Sequence, residues 1–203
     1  VDVGWGLERF ARVVQSAPTV FETDLFLPII EMIPHKEIIG NSSKEARSVR
    51  IVADHIRGAT FLIADEVLPS NVAQGYILRR LLRRAIRYGK VLDLDKNFLI
   101  PLSQKIIEMY KEFYPELSIK KEDILIVIQK EEEKFSKTLE QGLRELNKLF
   151  PIGKDQRITP GQEVKAFNRV DTKKAFFIYQ TYGFPLEMIQ EELAQRFLLV
   201  DEK

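Results

Sequence analysis

Residues 75–90, "GYILRRLLRRAIRYGK", place five arginines and one lysine in sixteen positions, with apolar residues between them. At about 100° per residue, Arg79, Arg80, Arg83, Arg84 and Arg87 fall on one arc of a helix, joined by Tyr76. Leu78, Leu81, Leu82, Ala85 and Ile86 fall on the opposite arc. So complete a segregation commits the chain to a helix with one buried face. The basic face has three readings: an RNA-binding surface, a membrane-surface helix, or a solvated face with acidic neighbours. A solvated face usually alternates charge signs at i,i+4. No acid interrupts this stripe, so the helix is expected to find its anions elsewhere.

The bulk properties sharpen that expectation. The chain has 203 residues and a net charge of +1, so the arginines are a local patch on a nearly neutral protein. There is no cysteine, which excludes disulfides and thiolate-ligated metals. His35 and His55 are the only histidines and are far apart in sequence, which argues against zinc. No apolar run approaches the ~20 residues of a membrane span. The first residues, "VDVGWGLERF", have neither the basic start nor the apolar core of a signal peptide and lack an initiating methionine. They read as the interior of a longer cytoplasmic protein, an organellar one being the alternative.

Along the chain, residues 1–6 alternate like a short strand broken by Gly4 and Gly6, and "LERFARVVQ" continues as a helix. "TVFETDLFLPIIEMI" reads as a helix starting at Thr23 or Asp24, with Leu25, Phe26, Ile29, Ile30 and Ile33 on its apolar face. After a polar loop, "SVRIVADHIRGATFLIADEVLP" is apolar nearly all round and is expected at the centre of the core. Ser70 and Asn71 are placed to cap the arginine helix, and Gly89 to end it. "DKNFLIPLSQKIIEMYKEFYPEL" reads as a further helix stopped by Pro115.

The longest element covers "KEDILIVIQKEEEKFSKTLEQGLRELNKLF". Leu125, Ile128, Glu132, Phe135, Leu139, Gly142, Leu146 and Leu149 step by three and four, a coiled-coil-like seam interrupted by Glu132 and Gly142. One long helix packed in its own domain is the reading, a dimeric coiled coil the alternative. "PIGKDQRITPGQEVKAFNR" is a Pro/Gly-punctuated loop or hairpin, and "DTKKAFFIYQTYGFPLEMIQEELAQRF" a helix, a turn at 183–185, and a second helix. The fold class is mainly α, with a fragment of sheet at the start.

Three stretches, "VDVGWGLERF", "VADHIRGATFLIADEVLPSNVAQGYILRRLLRRAIRYG" and "AFFIYQTYGFPLEMIQEEL", resemble the alanyl-tRNA synthetase family in order and spacing. The long helix looks like that family's too, so the resemblance covers nearly the whole chain. It implies that residues 1–20 are the end of a class II catalytic domain, carrying its third signature motif. Residues 21–203 would then be the helical tRNA-recognition domain. Carried over position by position, Arg9 would meet the ATP phosphates and Asp2 the alanine ammonium, while Gly4 and Gly6 leave room for substrate and nucleotide. Val3 and Trp5 depart from the threonine and methionine more usual there.

The resemblance also implies an answer for the stripe. Arginines would hold phosphates along a tRNA acceptor stem, contacts that position without reading sequence. Reading the G·U wobble pair would fall to Asn71, before the arginine helix, and to the position of Gln180, where the family has an aspartate. A carboxylate only accepts hydrogen bonds, whereas a glutamine amide also donates, so strict selection of the guanine amine is weakened here. The full-length enzyme would use ATP and Mg2+ to attach alanine to tRNA-Ala. This part alone is expected to be monomeric, inactive in adenylation, and to need no cofactor, DNA or membrane. A standalone RNA-binding module without catalysis is the competing reading, and an oligomerisation element built on the long helix a third.

Overall fold

The structure is a computed structural model describing residues 4–34, 43–151, 168–194, 196 and 198–200. Its helices are α1 (Leu7–Val14), α2 (Leu27–Ile30), α3 (Lys44–Ala64), α4 (Ala73–Val91) and α5 (Leu99–Tyr110). They continue with α6 (Pro115–Ile119), α7 (Lys121–Leu149), α8 (Thr172–Tyr182) and α9 (Leu186–Ala194). A 3-10 turn spans Val20–Glu22, and two three-residue strands, β1 (Asn168–Val170) and β2 (Leu198–Val200), pair in parallel. The chain is mainly α, as expected. It divides into two compact units, Val1–Glu133 and Lys134–Lys203. α1 belongs to the first unit, where Glu8 pairs with Arg57 of α3.

In the first unit α3 is central because its small and branched residues bury several faces at once. Val49, Val52, Ala53, Ile56, Ala59 and Ile63 are all in the core. The helix starts at Lys44, four residues before the apolar stretch that begins at Ser48, because Ser43 caps it, accepting from the Ala46 amide at 3.0 Å. At its other end Lys120 donates to the Ala64 carbonyl at 2.7 Å, satisfying an orphan acceptor. α4 packs against α3 through Leu78, Leu82, Ala85 and Ile86, the face expected from the sequence.

Three expectations fail locally. The stretch 23–33 forms only the four-residue α2, though Phe26, Ile29, Ile30 and Ile33 are buried as expected. Thr19, not Thr23, caps there, accepting from the Phe21 amide while Glu22 returns to the Thr19 amide; Thr23 is buried and donates to the Val20 carbonyl. Gly89 does not end α4, which runs on to Val91, with Asp93 taking the left-handed position beyond (φ 53°). The glycine serves packing instead: a Cβ there would enter the Phe98 ring. Residues 4–6 lie before α1 without a strand ladder, since no described strand pairs with them.

In the second unit, Phe135, Leu139 and Leu146 of α7 are buried together with Phe184, Met188 and Ile189. Gly142, an interruption of the seam, sits where a Cβ would run into the Phe184 ring. Gly142→Ala is therefore expected to destabilise this unit by about 1–3 kcal/mol through overpacking, read as a lower urea midpoint with unchanged helix content. An unchanged midpoint would show that Phe184 gives way freely. Asp171 caps α8 by accepting from the Lys173 amide at 2.9 Å, and Gly183 ends it at φ 68°, where glycine carries no Cβ penalty. Of the loop or hairpin expected over 151–169, residues 152–167 lie outside the described residues, and its last two, Asn168 and Arg169, belong to β1.

Candidate RNA interface around the arginine helix

The arginine helix is entered through a tight segment. The Ser70 amide donates to the Gly75 carbonyl at 3.0 Å, and Ser70 Oγ bonds both the Val72 amide and carbonyl. This fold-back is possible only because residue 75 is glycine; a Cβ would collide with Ser70 Oγ and the Leu68 carbonyl. Ser70 and Asn71 do not cap α4 as expected. Val72 is the N-cap residue, without a side-chain bond, and Ala73 opens the helix at φ 47°, a strained value for a residue with a Cβ. Asn71 is exposed, and its Oδ1 accepts from Arg79 Nη1.

The stripe is not uniform. Arg83, expected among the phosphate contacts, is only 7% exposed, and its Nε donates to Glu131 Oε1 at 2.6 Å. Arg79 Nε lies 3.9 Å from the same oxygen. So α4 does find an acid within its own unit, 48 residues from Arg83 in sequence on α7, and Arg83 turns inward to it. A buried guanidinium needs that carboxylate, because an uncompensated charge in the interior is strongly disfavoured. Local spacing cannot reveal such a partner. The available signal was a pair of acids, Glu131 and Glu132, at or beside a helical seam that is otherwise apolar.

Arg80, Arg84 and Arg87 are half-buried along the outer side of the helix. Arg84 lies over the Tyr88 ring, 5.8 Å from its centroid, and its Nη1 is 3.4 Å from His55 Nε2. His55 Nδ1 faces Asp54 Oδ2 at 3.0 Å, and this hydrogen bond is the main cause that holds the Asp54 carboxyl below its usual range. Arginine only donates, so Nε2 accepts and Nδ1 carries the proton toward Asp54. A relay from Asp54 through His55 thus orients Arg84.

The other expected site residues lie apart from this helix. Asp2 is outside the described residues. Gly4, Gly6 and Arg9 are exposed at the entry to α1, and nothing lies within 4 Å of where a Gly4 Cβ would sit. That stretch offers bare backbone and one exposed guanidinium, a group that pairs with anions. Gln180 is exposed on the last turn of α8, in the other compact unit. Among the described residues there is no group of three or more His, Cys, Asp or Glu side chains that could hold a metal, and no helix long and apolar enough to cross a membrane.

The family model described as tRNA synthetases class II (A) matches residues 1–203. The chain belongs to this family. Among its similar curated relatives is the alanine–tRNA ligase of Bacillus pumilus (strain SAFR-032), 38% identical over 205 residues, 100% of this chain and 22% of the relative. That of Geobacillus thermodenitrificans (strain NG80-2) is 42% identical over 206 residues, 99% of this chain and 22% of the relative. The ligase of Geobacillus kaustophilus (strain HTA426) is likewise 42% identical, with the same coverage. The chain therefore spans about a fifth of the length of these curated class II relatives.

Proposed function

We propose that this chain is the acceptor-stem-recognition part of an alanine–tRNA ligase that uses ATP and Mg2+ to join alanine to tRNA-Ala in the cytoplasm. In this reading residues 1–20 close the catalytic domain, with Asp2, Gly4, Gly6 and Arg9 facing alanine and ATP, and residues 21–203 bind the tRNA. ATP would supply the adenylyl group that activates the alanine carboxylate, with pyrophosphate as the leaving group, and Arg9 would hold its phosphates. Trp5, Leu7, Phe10, Val13 and Val14 are exposed, an apolar set that suits a segment belonging against a larger catalytic domain.

The observation that carries the reading is the division of labour on α4. Arg80, Arg84 and Arg87 line its outer side, and the polar Asn71 stands exposed at its entrance. A-form RNA presents phosphates on either side of a wide, shallow minor groove, which matches cations flanking a short polar reader. Asn71 and Gln180 are the proposed readers of the G·U pair, and the chain acts as a monomer on RNA duplex rather than DNA.

The test is titration of an acceptor-stem duplex with the triple variant Arg80→Gln, Arg84→Gln, Arg87→Gln. Losing about three phosphate contacts should weaken binding and flatten the dependence of log affinity on log salt by roughly two units. Unchanged affinity and slope would make the outer arginines a solvated face and overturn the reading.

A further inference from the structure

We infer that Arg79 is a positioning residue that fixes the Asn71 amide with its NH2 group outward, so that Asn71 meets RNA as a hydrogen-bond donor. The inference rests on the acceptor-stem reading above and adds to it the chemical sign of the contact.

Asn71 carries one accepting and one donating end, and either could face solvent. Arg79 removes the choice. A guanidinium has donors only, so the amide end bonded to Arg79 Nη1 must be Oδ1. The other end, Nδ2, is then the part of this exposed side chain left for a ligand. Arg79 is itself held. Its side chain is 18% exposed, Nη2 donates to the Pro69 carbonyl at 3.5 Å, and Nε is buried 3.9 Å from Glu131 Oε1. Both of its hydrogen bonds go to the segment 69–71, and its charge faces α7. Arg79 thus leaves the set of phosphate contacts expected from the sequence and becomes the support of the reader. Gly75 completes the arrangement by letting the 68–70 backbone lie on the first turn of α4.

An outward NH2 group selects acceptors. In the minor groove these are the purine N3 and the pyrimidine O2, together with the 2′-hydroxyl. The exocyclic amine of guanine is a donor and cannot be met by Asn71 in this orientation. Its recognition falls to an acceptor elsewhere.

The experiment measures binding of the 203-residue chain to a G·U acceptor-stem duplex and to two duplexes with one acceptor altered. One carries 3-deazaguanosine, which replaces N3 by C–H; the other carries 2-thiouridine, which replaces O2 by a weaker acceptor. Wild type should bind at least one altered stem about tenfold more weakly, the scale of one hydrogen bond. Arg79→Gln should abolish that ratio while circular dichroism shows an intact helix. Asn71→Asp keeps an oxygen for Arg79 but turns the outward atom into an acceptor. It should bind the unaltered stem about tenfold more weakly and no longer distinguish the altered ones.

If Arg79→Gln keeps the wild-type ratio, the positioning role is overturned while the acceptor-stem reading stands. If Arg79→Gln fails to fold, Asn71→Asp decides: full affinity there overturns the donor assignment. A wild type that binds both altered stems as well as the unaltered one also overturns it. A wild type that binds an unrelated duplex equally well overturns the acceptor-stem reading instead.

Discussion

Glu131→Ala is expected to destabilise the first unit by about 3–5 kcal/mol, the range for breaking one side of a buried ion pair. Glu131 is 6% exposed and faces two guanidiniums, with Arg83 Nε at 2.6 Å and Arg79 Nε at 3.9 Å. Removing the carboxylate leaves Arg83 inside with its charge uncompensated on that side, and a cavity where the side chain stood. Replacing the pair together, Glu131→Leu with Arg83→Met, should cost much less than the two single changes summed, because the stranded charge disappears with its partner. Urea unfolding of the five proteins, wild type, the three single variants and the double variant, measures both quantities. A single-variant loss below about 1 kcal/mol would mean that water reaches the pair and screens it as at an ordinary surface.

The second large effect is a pH dependence at Glu132. This residue is 2% exposed, and its carboxylate accepts from the Leu99 amide at 3.4 Å at the N-terminus of α5. Burial raises its pKa to about 7, against the opposing hydrogen bonds from the Leu99, Asn97 and Phe98 amides. The folded state therefore holds a proton that the unfolded chain releases near the ordinary carboxylate value of 4.5. For a raised pKa the contribution to stability is full below that unfolded value and is lost as pH rises through about 7. Integrated over the window, the loss approaches about 3 kcal/mol. Glu132→Gln keeps the shape without the charge, so its stability relative to wild type should rise from pH 4.5 to pH 8. A difference that stays flat over that range would show the carboxylate is not buried as described.

These two acids also mark where the sequence stops being informative. The helical faces were legible: the apolar residues of α4, the central α3, the length of α7 and the turn at Gly183 all follow from local spacing. Periodicity states which residues share a face, but not what the face meets. The seam of α7 reads Glu132 as an interruption because the amides it caps lie near residue 99, on another helix. Gly89 and Gly142 read as a stop and a break, yet each makes room for an aromatic ring supplied by a distant residue. Arg79 and Arg83 read as equivalent to Arg80, Arg84 and Arg87, since helical angle alone does not show which cations of the stripe turn toward Glu131. The family, carried by long motifs, was recognisable from sequence; the inward half of the stripe was not.

The short parallel ladder of β1 and β2 has a consequence for the order of folding. Its strands flank α8 and α9, so no pair such as Asn168 with Leu198 can form until the intervening chain has turned back on itself. Antiparallel strands could zip from a tight turn; a parallel pair must wait for its crossover. Three residues per strand give little to hold against the entropy of closing that loop. The ladder is thus expected to be the last part of the second unit to assemble and the first to open. In a refolding experiment, amides on β1 and β2 should gain protection after those of α8 and α9, and a truncation before residue 198 should leave both helices able to form.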